Sequence, residues 1–432
     1  MKDMLETAEM PKRAFLLGIR DAKTSPTGAD SLVRELEGLV TTLGLEIAGW
    51  EIVHLRENHA KYGMGTGKAE ELAQKAASLK ADCIIFDRDL SPSQQRNWEE
   101  LAGISVVDRQ ELIIQIFAGR AQTREAELQV SLAELVYALP RLQHKYIDLA
   151  RQRGGRYGTR GSGETRFETD RRKVEQKIHS LEEELEEVKS RRQVQRKQRE
   201  RQGVPVCALV GYTNAGKSSI LNALTGAGVL VEDKLFATLD SVSRRLLLPL
   251  GMQVLLVDTV GFIRRLPHSL INAFRSTLEE ASHADLLINV LDASDGDAPV
   301  HCETTLSVLR DLGAGEIPMI TVLNKIDRLE SHAAPDEIPA LLKRYPESIP
   351  VSATEGRGLA ELLERMESSL SEASLRFRFP LERTDLAALV HRSGTVISEE
   401  YKENFIEMEA RLDKPNAGRL KEYLVNDIKA SS

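Results

Sequence analysis

"GYTNAGKS", Gly211 to Ser218, fits G-x-x-x-x-G-K-[ST] and stands between an apolar run, "PVCALVG", and a helical one, "SSILNAL". A strand, a glycine-rich turn and a helix in that order turn backbone N–H groups and a helix N-terminus toward the phosphates of a nucleoside triphosphate. On this reading Gly211, Tyr212, Thr213, Asn214, Ala215 and Gly216 form the cradle, with Ser219 just inside the helix. Lys217 reaches the β and γ oxygens, and the Ser218 hydroxyl coordinates Mg²⁺.

The base is read further on, at "NKID", Asn324 to Asp327, after the run "MITVL". The Asp327 carboxylate can accept from both N1–H and the 2-amino group of guanine, whereas adenine offers no donor at either position. A buried carboxylate left without those partners costs about 1–3 kcal/mol or more, which selects guanine. Asn324 faces the other edge of the base and the Lys325 stem covers its ring. "SAT", Ser352, Ala353 and Thr354, supplies a backbone contact. GTP and GDP are the expected ligands.

Two segments between these motifs fit the switches of such a domain. "LFATLD", Leu235 to Asp240, brings Phe236, Ala237 and Thr238, with Thr238 placed to meet Mg²⁺ and the γ-phosphate. "DTVG" brings Asp258, Thr259, Val260 and Gly261, with Asp258 holding the ion's water and the Gly261 N–H on the γ-phosphate. The expected metal set is therefore Ser218, Thr238 and Asp258, and the residues acting in hydrolysis are Lys217, Thr238 and Gly261. Many GTPases carry a water-orienting glutamine next; this chain has Phe262. An apolar side chain cannot orient water, so slow intrinsic hydrolysis is expected, with the missing group supplied by a partner or by reordering around Thr238. Phe262 also reads as a packing residue, and the two readings are compatible. Asn214 reads either as an aid to a K⁺ ion beside the phosphates or as a residue that tolerates the loop's backbone.

The remaining sequence surrounds this core with further parts. Of 432 residues 41% are hydrophobic and 29% charged, with a net charge of −8, ordinary for globular domains and unlike a protein that coats nucleic acid everywhere. Cys83, Cys207 and Cys302 are too scattered for a disulfide framework or a zinc site. No apolar run suits a membrane helix and the start does not resemble a signal peptide, so a cytoplasmic monomer is expected, with peripheral membrane contact left open. Residues 12–120 alternate strand and helix patterns, the mark of a small parallel α/β domain. Residues 121–203 read as an antiparallel helical hairpin, its seam set by Val174, Ile178, Leu181, Leu185 and Val188 against Leu128, Leu135, Leu139 and Leu142, with a kink at Pro140. Residues 204–370 are the P-loop GTPase domain, and 371–432 a small α+β domain. The fold class is thus α/β.

The hairpin's tip, "RGGRYGTRGSGETR" at residues 153–166, is longer and more basic than a turn requires. Over residues 141–178 eleven Lys and Arg face five acids. Glycines among basic residues suit close approach to a phosphate backbone. "YGMGTGKAEEL", Tyr62 to Leu72, is a weaker signal, open between a phosphate contact and a structural loop.

"GTRGSGETRFETDRR", Gly158 to Arg172, closely resembles the glycine-rich signature of the HflX family, ribosome-associated GTPases of the Obg/HflX group. Arg166 and Phe167 stand where Gln and Leu are commoner. "SPSQQRN", "VVDRQELI", "IFAGRAQTREAELQV" and "ALPRL" extend the resemblance over about residues 13 to 370. It implies binding to the large ribosomal subunit and its rRNA, a loop that reaches toward the peptidyl transferase centre, and separation of stalled or idle ribosomes into subunits. A GTPase of rRNA or tRNA maturation or ribosome assembly is the alternative.

Overall fold

The computed structural model describes residues 11–425 apart from 21–25, 56, 58, 153–161, 203, 229–231, 233, 266, 268, 269, 271–273, 332–336, 371–374, 403 and 413. The chain divides into two units. The first takes Met1–Lys189 together with Glu232–Asp240 and Arg264–Ser276; the second takes Ser190–Val231, Ser241–Ile263 and Thr277–Ser432.

The first unit opens with β1 (Arg13–Arg20), α1 (Pro26–Thr42), β2 (Glu46–His54), α2 (Thr66–Ser78), β3 (Cys83–Phe86), α3 (Pro92–Ala102), β4 (Ser105–Val107) and α4 (Arg109–Arg120). The strands pair in parallel in the order β2-β1-β3-β4. Runs such as "AFLLGI" are apolar at every position because they are covered on both faces, and Phe15, Leu17, Ile84 and Phe86 are buried with Trp98 of α3. Helix starts follow local chemistry: Ser91 and Gln94 form a capping box on α3, and the Asp108 carboxylate accepts from the Glu111 N–H at the start of α4. The weak signal at Tyr62–Leu72 is tied down by its own fold. Trp98 Nε1 donates to the Tyr62 carbonyl at 2.9 Å, and Lys68 Nζ donates to Glu51 and Glu71, both at 2.7 Å.

Two long helices follow, α5 (Arg124–Gln152) and α6 (Ser162–Gln202). The helix runs through Pro140 without interruption. Pro140 and Val136 are both exposed, and the proline leaves the Val136 carbonyl without its helical donor. The seam positions Val174, Ile178, Leu181, Leu185 and Val188 are buried or half-buried in an otherwise largely exposed helix. Of the expected tip, residues 153–161 lie outside the described residues, and α6 begins at Ser162. Helix α5 is locked to the α/β sheet by Arg141, which donates to Asp108 Oδ2 at 2.9 Å and Gln95 Oε1 at 2.8 Å and lies over the Tyr137 ring. The Tyr137 hydroxyl donates to Glu111 at 3.0 Å.

The second unit contains β5 (Val206–Gly211), α7 (Lys217–Thr225), β6 (Val242–Leu247), β7 (Gln253–Asp258), all but the first two residues of α8 (Arg275–Ser282), β8 (Leu286–Asp292), α9 (Ala298–Asp311), β9 (Met319–Asn324), α10 (Ile326–Ser331), α11 (Glu337–Arg344), β10 (Ile349–Pro350) and α12 (Leu359–Leu370). Its six-stranded sheet runs β10-β9-β8-β5-β7-β6, parallel except for the antiparallel edge strand β6. Beyond it β11 (Leu375–Pro380), α13 (Thr384–Ser393), β12 (Gly394–Tyr401), β13 (Phe405–Leu412) and α14 (Lys414–Arg419) build a three-stranded antiparallel sheet, ordered β11-β13-β12, over a core of Phe377, Phe379 and Met408. Among the described residues no helix is long and apolar enough to cross a membrane.

Candidate nucleotide site

The loop Gly211–Gly216 leaves the end of β5, between β7 and β8, where an open α/β sheet collects ligands beyond its strand ends. Gly216 has φ +95°, and a Cβ there would collide with Asn324 Nδ2, so glycine lets the loop and "NKID" approach. The two motifs are cross-tied. Asn324 Nδ2 donates to the Ala215 carbonyl at 2.9 Å, and Lys325 Nζ to the Asn214 carbonyl at 2.7 Å. On the other side Ala353 N–H donates to Asn324 Oδ1 at 3.2 Å, and the Ser352 hydroxyl to Asp327 Oδ1 at 2.6 Å. Thr354 lies within reach of that hydroxyl, at 3.1 Å. "GYTNAGKS", "NKID" and "SAT", far apart in sequence, thus meet at one place.

Lys217 and Ser218 begin α7. Lys217 is buried, and its Nζ donates to the carbonyls of Gly211 at 3.2 Å and Tyr212 at 2.8 Å. Burial pulls its ammonium down to about 8, with Asp258 opposing the shift and Lys325 adding to it. The Ser218 hydroxyl donates to Asp258 Oδ2 at 2.5 Å. A hydroxyl and a carboxylate side by side are the hard oxygen donors that Mg²⁺ takes, the ion's other positions being left to phosphate and water, so these two residues fit the ion. Thr259 is buried and ties β7 to β5 by donating to the Leu209 carbonyl at 2.7 Å; Val260 is buried beside it. A Cβ on Gly261 would stand 2.7 Å from Thr213 Cα and 2.9 Å from Lys217 Nζ, so that segment lies against the loop and the lysine.

Phe262 is buried. Its N–H donates to the Gly211 carbonyl at 3.1 Å and its carbonyl accepts from Thr213 N–H at 2.8 Å, a parallel bridge between Tyr212 and Phe262. Asn214 has φ +61°, a conformation asparagine accepts more readily than most residues. Thr238, Ala237 and Phe236 belong to the stretch that clusters with the first unit; Thr238 is half-buried, and Phe236 is buried with φ +54°. Ser219 is half-buried in α7.

Two residues escaped the sequence reading. Asp292, at the end of β8, pairs with Lys325 at 2.7 Å and fixes its stem; its place at the end of the apolar run "LLINVLD" was the available signal. His301 of α9 stacks on the Tyr212 ring, 3.7 Å between centroids and 10° from parallel, and no local pattern marks it.

Three family models tile the chain: a GTP-binding GTPase N-terminal region over residues 30–118, a GTP-binding GTPase middle region over 120–199, and a 50S ribosome-binding GTPase over 206–325. A GTPase HflX of Akkermansia muciniphila is 46% identical, over 99% of this chain and 100% of that protein. This chain belongs to the HflX family. The GTPase HflX of Escherichia coli is 42% identical over 78% of this chain and 79% of its own length. A crystal structure of a GTP-binding protein from Sulfolobus solfataricus in complex with GDP is 25% identical, with a TM-score of 0.42, over 83% of this chain and 98% of that one. As an HflX GTPase the chain binds guanine nucleotide and hydrolyses GTP, which agrees with the bases and phosphates read from its motifs.

Proposed function

We propose that this HflX GTPase binds the large ribosomal subunit, separates stalled or idle ribosomes into subunits, and leaves when GTP is hydrolysed. The observation that carries the reading is Phe262: it is buried and bridged to the loop at the place where an autonomous GTPase would carry a water-orienting group. A site built this way hydrolyses slowly alone and waits for a partner to complete it. The family described as a 50S ribosome-binding GTPase over residues 206–325 supplies the class of partner, and the basic glycine-rich stretch at 153–166 the chemistry for rRNA.

In this scheme Lys217, Thr238 and Gly261 act on the γ-phosphate, Ser218, Thr238 and Asp258 serve Mg²⁺, and Asn324, Asp327 and Ser352–Thr354 hold guanine. The chain works as a cytoplasmic monomer with four parts, 12–120, 121–203, 204–370 and 371–432. Light scattering of intact ribosomes mixed with the protein and a non-hydrolysable GTP analogue tests the reading: a fall to the level of separated subunits is expected. Unchanged scattering, with binding only to precursor particles or bare RNA, would overturn it in favour of a maturation GTPase. Asn214 as a K⁺ aid is checked by rates in KCl and NaCl, which differ if the ion takes part.

A further inference from the structure

Helix α4 touches the stretch that holds Thr238 and the stretch that begins at Arg264, three residues after Gly261, and every one of these contacts lies within the first unit. At its N-terminal end the buried Arg109 donates to Asp87, to Glu35 and, at 2.9 Å, to the backbone carbonyl of Arg264. Arg264 itself pairs with Glu35 Oε2 at 3.3 Å and bonds Ser31, while Arg265 donates to Asp87 Oδ2 and to the Asp87 carbonyl, both at 3.0 Å. In the middle of the helix Phe117 meets two rings edge-on, Phe236 at 4.8 Å and Phe274 at 4.6 Å between centroids. At its C-terminal end Arg120 reaches Glu232 at 2.5 Å. In the turn that follows, the Asp240 carboxylate accepts from the N–H groups of Gln122 and Thr123, at 3.2 and 3.3 Å, and from the Thr123 hydroxyl. Thr123 Oγ1 in turn accepts from the Ala126 N–H in the first turn of α5.

These anchors sit close to the working residues along the chain. Arg264 follows Gly261 by three positions and Asp240 follows Thr238 by two. At no more than about 3.3–3.6 Å per residue, such short connections leave little slack. Phe117 lies against aromatic rings of both stretches, Phe236 two positions before Thr238 and Phe274 in the stretch that follows Arg264.

We propose that α4 couples the two segments to one another and to α5, with Phe117 as the positioning residue they share: when nucleotide moves either segment, the other segment and the first turns of α5 move with it. This rests on the assignment of Thr238 and Gly261 to the γ-phosphate. By linkage, a partner that shifts α5 then changes the preference for GTP over GDP by the same factor.

The test uses the full chain, wild type and Phe117→Ala, with GDP and with a non-hydrolysable GTP analogue. Affinities for both nucleotides and hydrogen exchange of residues 117–130 are read together. For wild type, exchange over 117–130 differs between the two nucleotides. In F117A that difference shrinks, and the ratio of the two affinities shifts by about fivefold or more, the range of ordinary couplings. A merely structural Phe117 lowers the thermal midpoint and leaves ratio and exchange difference as in wild type, which would overturn the proposal. So would wild-type exchange that ignores nucleotide while both nucleotides bind, and in that case the GTPase reading stands. If F117A does not fold, the exposed-side variant Thr123→Ala replaces it, with loss of the α5 exchange difference expected and its retention contradicting the coupling.

Discussion

At the scale of single residues, the proposed chemistry turns on Phe262, which stands where a water-orienting glutamine is common. Phe262 gives its main chain to the loop and its ring to the interior, so a glutamine there would enter the same buried space. Phe262→Gln is therefore expected to leave intrinsic GTP hydrolysis no faster, and to destabilise the protein by roughly 3 kcal/mol through a lost ring and a buried amide. Single-turnover hydrolysis and urea unfolding read the two effects; a large gain in intrinsic rate would show that side-chain identity alone limits the site. On the proposed reading Asp327 holds the base. Asp327→Asn exchanges an acceptor for an amide whose NH₂ can donate, so preference should pass from GTP toward xanthosine triphosphate, whose C2 carries a carbonyl. Competition binding should show GTP affinity falling about a hundredfold or more, and an unchanged preference for GTP would remove Asp327 from base recognition.

At the scale of elements, the strands and helices were legible because each carries its own signal: apolar runs bounded by turns, caps such as Ser91 and Asp108, and the glycines of the loop. The order of β5, loop and α7 followed from "GYTNAGKS" with the apolar run "PVCALVG" before it and "SSILNAL" after it. What could not be read was the locking of one element onto another, since Arg141 finds Asp108 and Gln95 across 33 and 46 residues. That lock has a measurable weight. Arg141→Ala leaves the buried Asp108 carboxylate without its cation, and a loss of about 3 kcal/mol is expected, with faster hydrogen exchange in α5 near Tyr137. Stability within about 0.5 kcal/mol of wild type would mean that this contact is a solvated surface pair. At Pro140 the helix continues, and the exposed position leaves room for water beside the carbonyl that the proline leaves without a donor.

At the scale of the whole chain, the site's parts come from distant stretches that motif order had already brought together: the loop, "DTVG", "NKID" and "SAT". The division into units was not legible. Residues 232–240 and 264–276 fall within the first unit through pairs such as Arg264 with Glu35, 229 positions apart, for which neither composition nor periodicity gives a sign. On the proposed reading the basic stretch ahead of the GTPase domain meets the ribosome. Replacing Arg153, Arg156 and Arg160 together by Ala should leave the basal GTPase rate unchanged and abolish its stimulation by ribosomes; stimulation that survives would locate the ribosome contact elsewhere.

The claim on which the rest depends is that the ribosome completes a site Phe262 leaves unfinished. Steady-state GTP hydrolysis by the purified protein in K⁺ buffer, alone and with large ribosomal subunits, measures it directly. A slow rate alone and stimulation of about tenfold or more by the subunits are expected. Equal rates with and without them would contradict it.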